Sequence, residues 1–354
     1  MLTPSQAEGM TDTTNTGLLA VVSQSGPTVT FFDAVTYEPL DVLDVPSEPH
    51  ELCFDPRRRL LYCTITYRSG YYHAHTGRAR ELVVIDPDAR RVLDVIDLAP
   101  EQAPHGVLLD PVRDLVWVSV EGEPGALVAV DPETRKTVRR VPVGAPGPHW
   151  FAITPDGRRA YAANKEAPFV SVVDLETGGA AGRIEVPGSE GIAVSPDGRY
   201  VYVAAPKGDF GSAEVRDAGV RVIDTDSGRV VRTLATEGYV FPVHVTTAGL
   251  VLAGELRFSA GGSALGAQVP GVLHLYEPGG TRERGRVPVG AFPLTITSSP
   301  DGRYAYVSAV SSSTVTVVDL AAPEVVTTLE VARAGEPGAH GLAYIPARRG
   351  PGAS

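Results

Sequence analysis

The segment Thr154–Asn164, TPDGRRAYAAN, recurs twice, as SPDGRYVYVAA at Ser195–Ala205 and as SPDGRYAYVSA at Ser299–Ala309. Weaker copies begin at Asp55 (DPRRRLLYCT) and Asp110 (DPVRDLVWVS). In each copy, a Pro-Asp-Gly or Asp-Pro turn precedes alternating small, aromatic and β-branched residues, which is the pattern of a β-strand. Internal repetition of this kind indicates a repeat architecture.

A second strand type follows each copy and ends in an acidic side chain. These acids are Asp86, Asp131, Asp174, Asp224, Glu277 and Asp319, with Asp33 as the N-terminal equivalent. An acid that recurs in every unit predicts turn chemistry, with the carboxylate capping the hairpin that follows. Each repeat has room for four strands in roughly 40 to 55 residues, which is the size of a propeller blade.

The two ends of the repeat region are incomplete in a complementary way. The chain begins with three strand-like segments and ends with one, HGLAYIP from His340. Together they complete a seventh blade and close the ring, which removes exposed sheet edges. The sequence therefore predicts an all-β, seven-bladed β-propeller of four-stranded blades over residues 17–347. Residues 1–16 are expected to be a disordered leader and residues 348–354 a disordered tail.

The S/T-P-D-G-R-x-x-Y-V units resemble the YVTN-type β-propeller repeat, whose members share the lactonase-like seven-bladed fold. The resemblance covers roughly Gly17 to Pro346. It implies architecture, and it leaves the chemistry open because the family includes surface-layer proteins and 6-phosphogluconolactonase-like proteins.

Composition excludes several function classes. The chain has 354 residues, 42 acidic and 31 basic, and a formal net charge of −11. It offers no basic stripe for a phosphate backbone, so nucleic acid is not an expected partner. No apolar run is long enough for a membrane span, and the N-terminus lacks the basic and apolar regions of a secretory signal. We expect a cytoplasmic protein that is a monomer or a weak oligomer.

One repeat position carries the strongest functional signal. The first strand of every blade lines a propeller's central channel, and aligning the copies places one column of residues at a mouth of that channel. The column reads His50, His105, His149, Glu190, Val243, Leu294 and His340. Half of the eight histidines occupy it. The histidines and Glu190 form a contiguous arc of five blades, and Val243 and Leu294 form an apolar wall.

Neutral imidazoles that converge on one point are ligands for a divalent transition metal such as Fe, Zn, Cu or Ni. The sequence therefore predicts a metal site formed by His50, His105, His149 and His340. Glu190 could be a further ligand or a general base, so we predict that Glu190 and His149 are catalytic. The alternative is a polar, solvated channel lining without a ligand.

Three long loops, 67–80, 207–217 and 257–270, are expected at the same mouth, where they could wall a substrate pocket. The predicted substrate contacts are Tyr71, Tyr72, His73, Arg257, Phe258, Val243 and Leu294. Residues near the mouth ends of second strands could hydrogen-bond the histidines from behind. These are Glu121, Asn164 and Glu255.

These residues favour a metal-dependent enzyme acting on a small organic molecule at the histidine-lined mouth. Because Glu190 belongs to the arc, Lewis-acid and acid–base chemistry is favoured, as in a lyase, isomerase or hydrolase. A shell of four histidines alone favours an Fe or Cu oxygenase-type oxidoreductase instead.

Two further alternatives stay open. One is a non-catalytic propeller that binds a protein or peptide on one face. The other is a lactonase, in which cationic loop residues would receive a phosphorylated substrate. Those cationic residues are Arg68, Arg78, Arg80 and Arg257.

Overall fold

The computed structural model describes residues 17–70, 75–206, 216–259, 267–333 and 338–348. Within these ranges the chain forms 28 β-strands and one short 3-10 turn at Pro278–Gly280. The described part contains no helix with the length and apolarity needed to cross a membrane.

The strands form seven four-stranded antiparallel sheets. The first three strands are β1 (Leu18–Ser23), β2 (Thr28–Asp33) and β3 (Pro39–Asp44). Blade 1 comprises β4 (Glu48–Asp55), β5 (Leu60–Tyr67), β6 (Arg78–Asp86) and β7 (Arg91–Asp97). Blade 2 comprises β8 (Gln102–Leu109), β9 (Val116–Glu121), β10 (Ala126–Asp131) and β11 (Lys136–Pro142). Blade 3 comprises β12 (Pro148–Ile153), β13 (Arg159–Asn164), β14 (Phe169–Asp174) and β15 (Gly179–Glu185).

Blades 4 to 6 repeat this order. Blade 4 comprises β16 (Ile192–Val194), β17 (Tyr200–Ala205), β18 (Gly219–Asp224) and β19 (Arg229–Ala235). Blade 5 comprises β20 (Val240–Val245), β21 (Val251–Phe258), β22 (Gln268–Tyr276) and β23 (Glu283–Ala291). Blade 6 comprises β24 (Pro293–Ser298), β25 (Tyr304–Ala309), β26 (Thr314–Asp319) and β27 (Glu324–Glu330).

The seventh blade joins the two ends of the repeat region. Its innermost strand, β28 (Ala339–Ile345), is the last strand in the sequence. It pairs with β1, and the sheet order is β28-β1-β2-β3. Leu18 lies opposite Ile345 in this antiparallel pair. The predicted seven-bladed ring, closed by the C-terminal strand, is therefore confirmed.

The recurring turns use local side-chain hydrogen bonds. In the first Pro-Asp-Gly turn, Thr154 Oγ1 donates to Asp156 Oδ1 (2.6 Å). Asp156 Oδ1 also accepts from the backbone N–H of Arg158 (3.0 Å). Gly157 has φ +70°, a conformation that glycine adopts without a steric penalty. At the same end of the blades, in the turn between the third and fourth strands of blade 7, Asp33 Oδ1 accepts from two backbone N–H groups. The aspartates at strand ends thus cap the hairpins that follow, whereas Glu277 makes no side-chain cap hydrogen bond within the described residues.

The core lies between the blades. The inner three strands of each blade are largely buried, and the outermost strands, such as β3 and β19, are mostly exposed. Apolar side chains of neighbouring sheets pack together, as where Trp117 of blade 2 meets Phe151 of blade 3. This packing fixes the inner strands around the axis.

Glycine lets the inner strands approach closely at the level of the histidines. A Cβ atom at Gly341 would lie 2.4 Å from the carbonyl oxygen of His50, and one at Gly191 would lie 2.1 Å from that of Phe241. A side chain at either position would force the inner strands apart. The glycines that follow His340 and Glu190 therefore allow neighbouring blades to bring these residues together.

Candidate metal centre

The four predicted histidines converge in the structure. His340, His50, His105 and His149 lie on the inner strands of blades 7, 1, 2 and 3, and each is at most 5% exposed. The ring centroids of His50 lie 4.1 Å from His340 and 4.5 Å from His105, and those of His105 and His149 are 4.6 Å apart. The rings form an arc in blade order.

Their ligand atoms fall into two overlapping groups of three, and each group is close enough to share an ion. One ligand atom each from His50, His105 and His149 lies within 4.8 Å of the others, and the same holds for His50, Glu51 and His340. These buried histidine and glutamate groups could hold a metal ion.

His105 is oriented by a charged network behind it. Its Nε2 lies 2.6 Å from Glu121 Oε1, so it donates to the carboxylate. Tyr67 donates its hydroxyl to the same oxygen (3.1 Å), and Lys165 Nζ lies 3.5 Å from it. Because Nε2 faces this network, Nδ1 is the remaining ligand atom. That buried atom has no hydrogen-bond partner among the described residues.

His149 also faces a carboxylate with one ring nitrogen, but it uses Nδ1 where His105 uses Nε2. Its Nδ1 lies 2.7 Å from Glu190 Oε2, and its buried Nε2 has no hydrogen-bond partner in the described part of the chain. A ligating histidine commonly donates its second ring N–H to a carboxylate, which fixes the tautomer and the ring orientation. Both His105 and His149 show this pattern.

A third carboxylate, Glu51, lies beside the other two histidines. Its Oε1 lies 3.2 Å from Nδ1 of His340 and 3.7 Å from Nδ1 of His50. The same oxygen accepts from Nε1 of Trp150 at 2.8 Å, a contact that links blade 1 to blade 3 across the axis. Glu51 thus joins the histidine arc to the indole ring.

Burial keeps the imidazoles of His50, His105 and His149 neutral. Burial, reinforced by Lys165, lowers the pKa of His105 to about 4, and it lowers the pKa of His149 well below its usual range. Burial and the neighbouring His340 also hold the pKa of His50 well below its usual range. Burial alone would raise the pKa of Glu121, but His105 and Lys165 lower it to about 2. Neutral imidazoles facing outer carboxylates are the protonation states that metal ligation requires.

Hydroxyl groups of neighbouring blades hold the backbone of the histidines. Thr64 of blade 1 donates to the carbonyl oxygen of His105 in blade 2 at 2.7 Å. Ser119 of blade 2 donates to the carbonyl oxygen of His149 in blade 3. These contacts fix the histidine backbones relative to the preceding blade.

Two of the three residues predicted to support the histidines make other contacts. The Nδ2 atom of Asn164 donates to the carbonyl oxygen of Phe169 and to Ser171 within blade 3. Glu255 lies 2.9 Å from Nε2 of His274 in blade 5. Only Glu121 of the three is placed against an arc histidine by the described contacts. The strand phase, which a one-residue shift reverses, accounts for the difference.

The predicted substrate contacts are found in different settings. Tyr71, Tyr72 and His73 lie outside the described residues. Arg257 binds Glu255 through Nε at 2.8 Å, and Phe258 packs against an apolar cluster that contains Leu294.

The two apolar members of the column do face the axis. Val243 and Leu294 line a cavity of about 630 Å³ that follows the propeller axis, and each blade contributes inner-strand residues to its wall. The cavity begins at Glu51 and Trp150, and it extends to the turn residues Pro111, Pro155 and Pro196 at the other end of the inner strands. It therefore runs from the histidine arc towards the opposite mouth.

Sequence reasoning missed Glu51, Tyr67, Trp150 and Lys165. Glu51 and Trp150 directly follow arc histidines, where strict strand alternation would turn them away from the axis. The register shifts between Pro49 and Leu52 and between Pro148 and Phe151, so simple alternation fails there. Lys165 had one available signal, since the chain has only three lysines and this one follows a second strand.

Comparisons with known proteins support the fold. No family model matches the chain, and no curated protein sequence matches it. A solved structure of hydrazine synthase from Kuenenia stuttgartiensis is similar, with a TM-score of 0.65, 19% identity, and coverage of 90% of this chain and 99% of that one. A functionally unknown protein from Desulfotomaculum acetoxidans is similar with a TM-score of 0.69, 14% identity, and coverage of 93% and 99%. At these identities the likeness shows a shared propeller fold.

Proposed function

We propose that this protein is a metal-dependent enzyme acting on a small organic molecule, with a divalent transition metal held by His50, His105, His149 and His340. The observation that carries the proposal is the pair of buried nitrogens, Nδ1 of His105 and Nε2 of His149, without a hydrogen-bond partner among the described residues. A buried polar atom left unsatisfied costs about 1–3 kcal/mol. Metal ligation satisfies both atoms.

The donor set narrows the choice of metal. Imidazole suits Fe, Zn, Cu and Ni, whereas Mg²⁺ and Ca²⁺ prefer oxygen ligands. When bound, such a metal supplies either Lewis-acid polarisation of a substrate oxygen or a redox centre. Glu121 and Glu190 are positioning residues in this proposal, because they orient His105 and His149 through the outer ring nitrogens.

Glu51 is the group best placed for acid–base chemistry. It lies beside His50 and His340 and also lines the axial cavity. Burial alone would raise its pKa, but His340 and His50 lower it to about 2, so it is a carboxylate at neutral pH. It can accept a hydrogen bond from a substrate hydroxyl or amine in the cavity, which supports Lewis-acid and acid–base chemistry as in a lyase, isomerase or hydrolase.

One observation favours an oxidoreductase as the second candidate. Glu190 contacts Nδ1 of His149, so it orients this histidine and is not itself a metal ligand. The proposed ligands are then all imidazoles. Such a set also suits an Fe or Cu centre that reacts with oxygen.

The lactonase alternative has less support. The cationic residues that it would use face carboxylates: Arg68 pairs with Glu81, Arg78 with Glu121, Arg80 with Asp97, and Arg257 with Glu255.

Cobalt substitution tests the proposal. Metal-stripped protein titrated with Co²⁺ should develop visible absorption bands at one equivalent, and His105→Ala or His149→Ala should abolish them. His244→Gln, on the inner strand of blade 5, is the matched control and should retain them. Bands that survive in both arc variants would contradict the proposed site.

Metal competition separates the two candidate chemistries. A preference for iron or copper, with an iron–nitrosyl electron paramagnetic resonance signal after addition of nitric oxide, would favour the oxidoreductase. A preference for zinc or nickel would favour Lewis-acid chemistry.

A further inference from the structure

We propose that the axial cavity binds a small, mainly apolar molecule through one hydrogen-bond donor, a hydroxyl or an amine, that pairs with the carboxylate of Glu51. The proposal deepens the proposed function, because it would make this cavity the substrate site of the metal centre. Binding in the cavity can nevertheless be measured without metal.

The size and the wall of the cavity indicate the ligand class. Its volume of about 630 Å³ is within the usual range for small-molecule sites, roughly 300–1,000 Å³. Most of the wall is apolar, including Leu109, Ile153, Val243 and Leu294. A molecule that fills it must therefore be largely apolar.

Glu51 supplies the polar end of the cavity. Its contacts with Trp150, His340 and His50 all use Oε1. The described residues offer Oε2 no hydrogen-bond partner, and Glu51 lines the cavity. A carboxyl oxygen at the end of an apolar pocket is an acceptor for a ligand hydroxyl or amine.

Trp150 places this end of the cavity against the metal centre. Its ring centroid lies 3.9 Å from that of His149 and 6.2 Å from that of His340, and the same residue lines the cavity. A ligand held by Glu51 would therefore have its polar group beside the histidine arc and its apolar body towards the opposite mouth.

The same arrangement selects against anions. The cavity wall contains the carboxyl group of Glu51 and no lysine or arginine among the described residues. A carboxylate or phosphate on the ligand would face like charge in an apolar setting. The cavity also extends to Pro111, Pro155 and Pro196, so the ligand would enter between the turns rather than under the long loops of the histidine mouth.

Calorimetric titration with three adamantane derivatives tests the proposal. They share one apolar cage and carry a hydroxymethyl group, its methyl ether, or a carboxylate. We expect the alcohol to bind at least about tenfold more tightly than the ether, since a hydrogen bond to a charged acceptor gives roughly that factor. The carboxylate should bind most weakly. The alcohol should also change the tryptophan fluorescence, and Trp150→Phe should remove most of the change.

Two variants locate the binding site. Glu51→Gln should bring the alcohol and the ether within about threefold of each other, because the charge-assisted hydrogen bond is lost. Thr295→Phe, at a partly exposed position in the cavity wall, should weaken all three ligands. Ala193→Phe replaces it if circular dichroism shows that the first variant is unfolded.

Metal-free and metal-loaded protein are both titrated. Alcohol binding by protein that takes up no metal would support the cavity site and overturn the metal-dependent function. Failure of all three ligands to bind either form, tightest binding of the carboxylate, or an alcohol affinity unchanged by Glu51→Gln would overturn the cavity proposal and leave the metal proposal standing.

Discussion

The carboxylate of Glu190 lies 2.7 Å from Nδ1 of His149, and this contact assigns the ring hydrogen to Nδ1. Nε2 is thereby left as a lone-pair donor inside the ring of blades. Glu121 has the equivalent relationship with His105 at 2.6 Å, although it uses the other ring nitrogen. Two inner strands thus present imidazoles in tautomers suited to a shared ligand.

Removing either outer carboxylate should weaken metal binding without unfolding the protein. Glu190→Gln and Glu121→Gln retain the side-chain shape but lose the charged acceptor, which typically costs 10–100-fold in metal affinity. Competition against a chromophoric chelator measures this change. Glu176→Gln, an exposed blade 3 residue, is the control. Wild-type metal affinity in both glutamine variants would show that Glu190 and Glu121 do not support the metal ligands.

The close approach of the inner strands gives a second prediction. Gly341→Ala would place a Cβ atom 2.4 Å from the carbonyl oxygen of His50 and 2.7 Å from Cα of Glu51. The inner strands must move apart to accommodate this methyl group. That movement should lower the free energy of unfolding by about 1–3 kcal/mol and displace His50.

Urea denaturation compares this variant with Gly179→Ala. A Cβ atom at Gly179 would have no neighbour within 4 Å, so we expect the control to change stability by no more than about 0.5 kcal/mol. Equal midpoints for the two variants would show that strand spacing at the histidines is not tight.

The pH dependence of stability gives a third prediction. Burial lowers the pKa of His244 from 6.5 to about 4. Between pH 6.5 and about pH 4, the imidazole of His244 is neutral in the folded protein and becomes protonated on unfolding. Its contribution to the free energy of unfolding is therefore lost as the pH falls through this range. His244→Gln keeps a polar group beside Ser298 but does not titrate in this range.

Urea midpoints at pH 8 and pH 5 measure this share. On going from pH 8 to pH 5, the wild type should lose roughly 1–2 kcal/mol more of its free energy of unfolding than the variant does. This follows from the pKa difference of His244, since each pKa unit is worth about 1.4 kcal/mol. An identical pH response of both proteins would contradict the assigned burial effect.

Much of the fold could be predicted from the sequence because each repeat carries its own turn chemistry. The Pro-Asp-Gly turns and the strand-terminal acids mark the ends of the strands, and the lone segment from His340 indicates how the ring closes. The resemblance to the YVTN repeat stays a prediction, since no family model matches the chain.

The histidine arc was predictable for the same reason, since equal repeat positions lie at equal height on the axis. Glu51 and Trp150 were not, because the inner strands shift register beside the histidines. The axial cavity also could not be foreseen, since its shape depends on how seven strands pack rather than on any one of them.

Metal content tests the central claim most directly. Elemental mass spectrometry of tag-free protein should find about one equivalent of a transition metal per chain, as a single four-ligand site requires. The same measurement on a His105→Ala/His149→Ala double variant should find almost none, and on His244→Gln the wild-type amount. No metal in the wild type after reconstitution, or full metal in the double variant, would contradict the account.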